Sequence, residues 1–429
     1  MDHYKASGEI LDILLVCFDQ HGNWYGTHDL FRRQECNKLS KETIPLNRIV
    51  KINANGQKCL LCSFLDSSKD FLELDYHHVA SLIVVDDVQH LSLPNLLTTA
   101  GCIDLYSITT FDAPNLRTVG GDLTLGSTII FNAPNLLTVH GTLNADSVTT
   151  FNAPCLETVI GNMNAKSATK FCATELQLVT GDLNAASAIN FCAPKLQTVK
   201  GDLAITSATT FNADNLQSVA GDLDADSVTT FNAISLQLVK GDLNAKSATT
   251  FRAPELHAVD GDLNARSATT FRARNLHGVG GSLTAGAVTT FRVRNLIGVG
   301  GCLTAGAATK FSAPALQTVC GDLTAKSATT FRARKLQGVG GCLTAGAATK
   351  FSAPALHTVG GDLSAESDTT FRAQNLQTVY GSLIAKSATT FHAPKLVTVD
   401  GNLFLERDVR HKAILAGWPL AIAKAAGSL

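Results

Sequence analysis

Cut every 20 residues from Gly101 to Asp400, the chain falls into fifteen segments that align without insertion or deletion. A period of this length marks an array of stacked units, because no single unit can bury its apolar side alone. Residues 241–260, GDLNAKSATTFRAPELHAVD, are typical of the unit. Gly holds position 1 in all fifteen copies, Phe position 11, Leu position 16 and Val position 19. Position 3 is Leu except at Ile103 and Met163, and position 13 is Ala except at Val293.

The apolar columns fall at positions 3, 5, 8, 11, 13, 16 and 19. Steps of two, from 3 to 5 and from 11 to 13, place one outward residue between two inward ones, as on a strand. Steps of three mark bends between short extended segments. No run keeps apolar residues at helical spacing over three turns, and Gly and Pro punctuate the units. The pattern predicts a mainly β chain, a parallel β-solenoid of about 15–16 coils of 20 residues stacked by strand pairing. The Gly column predicts a turn that needs positive φ or a close backbone approach.

The periodic region spans residues 81–405, with a degraded first copy at 81–100 in which Ile83 and Leu96 are expected to hold their columns. Residues 1–80 are richer in aromatics, Cys, His and charge, and predict a small mixed α/β N-terminal domain that covers the first coil. Residues 406–429, Ala- and Leu-rich, predict a short helical cap at the C-terminus. Atypical ends of this kind keep solenoid edges from stacking on other molecules.

Charged residues make up 17% of the 429, and the formal net charge is −1, so no global field draws nucleic acid or an anionic membrane. The apolar run Ile10–Phe18 is broken by Asp12 and is too short to span a bilayer. No secretory signal opens the chain, which predicts synthesis in a cytoplasm; export would need a signal-independent route. The eleven cysteines lack the even spacing of a disulfide framework and read as free thiols.

The run L-x-x-V-x-G-D-L-x-A followed by F-x-A-P-x-L, as in residues 116–143 and 356–383, resembles the leucine-rich-repeat superfamily. It is most similar to the receptor-L-domain type and to short-unit β-solenoids of fungal cell-wall proteins, over about 320 of 429 residues. The resemblance implies binding of a protein or glycan by an exposed strand face. The Asn ladder of ordinary leucine-rich repeats is missing, with Ser, Ala or Gly at position 7, which favours a straighter rod than a horseshoe. Some bacterial effectors also carry 20-residue leucine-rich units, but the enzyme domain linked to theirs has no counterpart here.

Candidate chemistry is sparse. Cys59 and Cys62 form a CxxC that, with His77 and His78 or Cys36, offers a weak zinc set without a second clean pair. Asp222, Asp224 and Asp226 alternate and could share a strand face, but the nonapeptide of calcium-binding β-rolls is absent. The Asp column at position 2 reads as side chains bonding the turn after Gly. Thr dominates positions 9 and 10, interrupted by Lys170, Lys310 and Lys350, and reads as polar ladders that satisfy turns. Arg252, Arg272, Arg274, Arg292, Arg294, Arg332 and Arg334, at positions 12 and 14, form one basic stripe suited to an acidic partner or phosphate.

No nucleophile, base and orienting group recur at a catalytic spacing, and no cofactor motif is present. The expectation is a non-catalytic scaffold that binds a protein or glycan through its outer face, as a monomer or with weak end-to-end self-association. The competing expectation is an effector or toxin-like protein whose activity lies in residues 1–80 and whose repeats target it.

Overall fold

The computed structural model describes residues 90–105, 108–367 and 369–406, together with the backbone of the strands Ile13–Phe18, Val50–Ile52, Lys58–Ser63, Phe71–Glu73, His78–Val79 and Ser81–Val84. It divides into two compact units, residues 1–208 and 209–429. Each is a parallel β-solenoid.

The repeating coil carries three short strands. In one coil of the second unit these are Leu243–Asn244, Thr250–Arg252 and Ala258–Val259. We call them the Leu, Phe and Val strands after their buried residue. Each pairs in parallel with its counterpart 20 residues on, like with like: Leu243 opposite Leu263, Phe251 opposite Phe271, Val239 opposite Val259. The seven inward columns read from the sequence are buried along the described coils, with Phe391 near the C-terminal end half-buried, and most of their side chains are fully enclosed.

The Phe rings stack along each unit, at centroid spacings from 4.8 Å between Phe311 and Phe331 to 6.1 Å between Phe271 and Phe291. That widest gap lies beside Val293, the one non-Ala residue of the position-13 column, which is fully buried. The Phe-strand ladder of the second unit is interrupted at this point: one sheet ends at Thr270–Arg272 and the next begins at Thr290–Arg292. Val293 adds two methyl groups to a column sized for Ala, while the Leu and Val ladders of the same coils stay paired.

The Gly column is held by close approach. A Cβ on Gly281 would overlap the Oδ1 of Asp262 and stand 2.9 Å from the carbonyl carbon of Gly261. Among the described residues, positive φ occurs at Gly161, at 149°.

In the first unit the ladders run past the clean repeats towards the N-terminus. Phe71–Glu73 pairs with His90–Ser92, and His78–Val79 with Thr98–Thr99. Leu82, not Ile83, stands opposite Ile103, so the offset is 21 residues at this step and Leu82 fills the column expected for Ile83. Ile13–Phe18 pairs in parallel with both Ser81–Val84 and Lys58–Ser63, and Val50–Ile52 adds antiparallel to the latter. The edge of the Leu sheet at Ser81–Val84 is therefore paired. The mixed α/β composition expected for residues 1–80 and the helix expected within 406–429 lie outside the described residues.

Candidate partner-binding face

The outer surface of a coil is set by what the inward columns leave over. On the Phe strand, positions 10 and 12 flank the buried Phe and point away from the core, and position 14 follows the buried Ala column of position 13 into the next turn. Arg252, Arg272, Arg292 and Arg332 occupy position 12 and Arg274, Arg294 and Arg334 position 14; all seven are exposed. Arg252 stands directly opposite Arg272, and Ser312 lies between Arg292 and Arg332 in the ladder. The ladder interruption separates Arg272 from Arg292. None of the seven side chains makes an ion pair or hydrogen bond among the described residues, in contrast to Lys195, which pairs with Glu175, and Lys246, which pairs with Asp226.

The stripe is longer than Arg alone reveals. Where position 12 is Ser, at Ser312 and Ser352, position 10 is Lys, at Lys310 and Lys350, and both lysines are exposed. Arg372 and His392 continue the column. Each coil from Thr250–Arg252 to Thr390–His392 thus presents one basic residue on its Phe strand, at either of two outward positions. Read as gaps in a Thr column, Lys310 and Lys350 conceal this; read against Ser312 and Ser352, they show it.

The other polar columns are used internally. At position 2 most side chains accept from the backbone N–H of position 2 in the next coil: the Asp202 amide donates to Asp182 at 2.9 Å and the Asp262 amide to Asp242 at 2.7 Å. The expected bond to the turn after Gly is replaced by one that crosses between coils. Any short acceptor serves, as Ser282 Oγ does for Cys302 N–H at 3.1 Å and Cys302 Sγ for Asp322 N–H at 3.3 Å. At position 9, Thr hydroxyls donate to the carbonyl of position 9 in the preceding coil, as Thr329 does to Thr309 at 2.9 Å. At position 4, Asn Oδ1 caps its own turn, as Asn264 does for the Arg266 N–H at 3.2 Å.

Asp222, Asp224 and Asp226 do not form one site. Asp222 accepts from the Asp242 amide, Asp224 from the Asn244 side chain at 3.1 Å, and Asp226 pairs with Lys246 at 2.8 Å. The strand there is two residues long, Leu223–Asp224, so Asp226 sits in the turn beyond it. Burial, then the charge of Asp226, pushes the Asp224 carboxyl above its usual range. Among the described residues no three His, Cys, Asp or Glu side chains gather to hold a metal. Cys59 and Cys62 lie on the strand Lys58–Ser63, and their side chains are outside the described residues. Seven cysteines are described, and all are unbridged. Cys172 stands opposite Cys192, and burial followed by that neighbour pushes its thiol up.

No helix among the described residues is long and apolar enough to cross a membrane. No protein-family model matches the chain, and no curated protein matches it. Among solved structures it is similar to a chain of the crystal structure of the TLR13–ssRNA13 complex, at 15% identity and a TM-score of 0.21. That match covers 74% of this chain and 63% of the other, so the chain spans less than two thirds of that protein. At this TM-score the likeness carries no argument about fold or binding.

Proposed function

We propose that this chain is a non-catalytic repeat scaffold, in the manner of leucine-rich-repeat proteins, that binds a protein or glycan through the outer face of its Phe strands. The observation that supports this reading is the row of unpaired cations from Arg252 to Arg372. Two unit charges about 5 Å apart repel by about 1 kcal/mol even in water, and like charges directly opposite on a ladder are destabilising. Nothing among the described residues offsets that cost. Charges that guard against edge-to-edge pairing belong on edge strands, whereas strands such as Thr250–Arg252 and Thr330–Arg332 are paired on both sides. An external anionic partner accounts for the row.

Carbodiimide coupling, which joins lysine amines of the full chain to carboxylates of a captured partner, tests this. Lys310 and Lys350 lie within the row, and Lys166 and Lys200 lie in the other unit. Cross-links should concentrate on Lys310 and Lys350 and disappear when Arg272, Arg292 and Arg332 are changed to Glu. An even spread over all four lysines would remove the Phe-strand face as the binding surface.

A further inference from the structure

We infer that the occupant of this face is an anionic polysaccharide, a linear chain bearing sulfate or carboxylate groups, laid along the stacking direction of the second unit. The inference rests on the proposed scaffold reading and adds the chemistry of the partner.

Continuity of charge is the first observation. Along the Phe strands the basic residue is Arg252, Arg272, Arg292, Lys310, Arg332, Lys350, Arg372 and then His392, one per coil. At a ladder spacing of about 4.8 Å this gives a row about 34 Å long. When the cation leaves position 12 it reappears two residues earlier, and alternate residues of a strand share a face. The first unit has no such row: its Phe strands carry Ser92, Asp112, Asn132, Asn152, Cys172 and Cys192 at position 12, with basic residues at position 10 only at His90 and Lys170.

Purity of charge is the second. From Thr249 to Pro394, positions 9 to 14 of the eight coils contain no Asp or Glu. The acids of these coils stand mainly at positions 2 and 20, as Asp262, Asp322, Asp362 and Asp400 do. Those at position 2 are engaged in the amide ladder, as Asp322 is with Cys342 and Asp362 with Ser382. A chain of net charge −1 therefore presents a face of a single sign.

The third is what accompanies the charge. The outward residues here are Thr, Ser, Arg, Lys, Pro, Gln and His, with no Phe, Tyr or Trp. Single-stranded nucleic acid binds by stacking bases on aromatic rings as well as by charge, and this face has no such rings. Protein partners anchor on Trp, Tyr and Arg side chains seated in desolvated pockets; of these the row carries Arg alone, on an exposed strand face. A flat row of guanidinium forks suits sulfate and carboxylate groups, which they bind bidentately. The position-10 hydroxyls of Thr250, Thr270, Thr290, Thr330 and Thr370 make no hydrogen bond among the described residues, in contrast to the position-9 ladder. They alternate with the cations as donors and acceptors for sugar hydroxyls.

The test uses the full chain and three probes at physiological salt: heparin, poly-L-glutamate and a short DNA duplex. Titration calorimetry should show heparin bound more tightly than the other two, with affinity falling as salt rises. Changing Arg272, Arg292, Arg332 and Arg372 together to Glu should weaken heparin at least tenfold. The same four changed to Gln should give a smaller loss. Changing Lys166, Lys195, Lys200 and Lys240 to Glu alters net charge equally and should leave affinity within twofold. Melting temperature by circular dichroism verifies that each variant is folded. Equal loss in both Glu variants, or no loss in either, overturns the inference. Poly-L-glutamate or duplex bound as tightly as heparin, and lost in the Arg variants, overturns the polysaccharide while leaving the binding face intact. Absence of binding to all three probes removes the polysaccharide; cross-links even across the four lysines would remove the face itself.

Discussion

The amide of Asp262 donates to the Oδ1 of Asp242 at 2.7 Å, and the Oδ1 of Asp262 in turn accepts from the amide of Ser282 at 2.6 Å. A side-chain ladder runs between coils beside the backbone ladders. Asp242→Ala removes one acceptor from a solvent-exposed position and should lower unfolding free energy by about 1 kcal/mol. Asp242→Ser should restore most of it, since Ser282 already serves in this role, and Asp242→Val should not. Urea denaturation of the four proteins checks this; equal stability of the Ser and Val variants would mean that the side-chain bond contributes nothing.

Thr128 occupies the position-8 column, where Val148, Val228 and Val288 stand in other coils. It is fully buried, and its hydroxyl has no hydrogen-bond partner. Thr128→Val keeps the shape and removes an unsatisfied polar group, whose burial costs about 1–3 kcal/mol. The variant should be more stable by about that amount, measured by chemical denaturation.

The Asp224 carboxyl is pushed above its ordinary value of 3.8, first by burial and then by Asp226. In the folded state it holds its proton more readily than in the unfolded chain, so ionisation opposes folding. The penalty is absent below pH 3.8, grows as pH rises through the raised folded value, and is complete above it. Asp224→Asn, which matches Asn244 and Asn264 in the next coils, should therefore raise the melting temperature at neutral pH. The gain should shrink towards zero as pH falls below 3.8. A gain independent of pH would assign the effect to the amide's hydrogen bonds instead.

Val293 stands where fourteen other copies carry Ala, beside the interrupted pairing of Thr270–Arg272 with Thr290–Arg292. Val293→Ala should close that ladder. Relief of overpacking offsets the lost apolar burial, so the net change in stability should stay within about 1 kcal/mol. Hydrogen exchange is the sharper readout: amides of residues 270–272 and 290–292 should exchange at least tenfold more slowly. Unchanged exchange would detach the interruption from the side chain.

What can be read from the sequence divides along the same line as inside and outside. The columns of Phe311, Leu316 and Val319 are invariant across the copies because each must stack on a copy of itself, and comparison within one chain is enough to find them. Leu82 escapes a fixed ruler of 20, because one extra residue separates it from Ile103. The partner of Asp242 escapes as well, because its acceptor role reaches along the stack, a direction that sequence spacing does not express. Alternation groups Asp222, Asp224 and Asp226, but the strand that would align them ends at Asp224. The basic face is legible in part. Lys310 and Lys350 are hidden because a charge that moves from position 12 to position 10 leaves its column while staying on its face.

The alternation of Arg-bearing and Lys-bearing coils has a consequence for how such a molecule changes over generations. Residues 301–340 and 341–380 read as copies of one 40-residue stretch, each beginning with a Lys coil and ending with an Arg coil. Because every coil meets its neighbour through the same columns, copying a stretch inserts a block that already fits at both ends. Each such event lengthens the charged face by two cations and disturbs no existing contact. The length of the charged face is then a matter of copy number, open to adjustment by recombination in whole coils, while its core chemistry stays fixed.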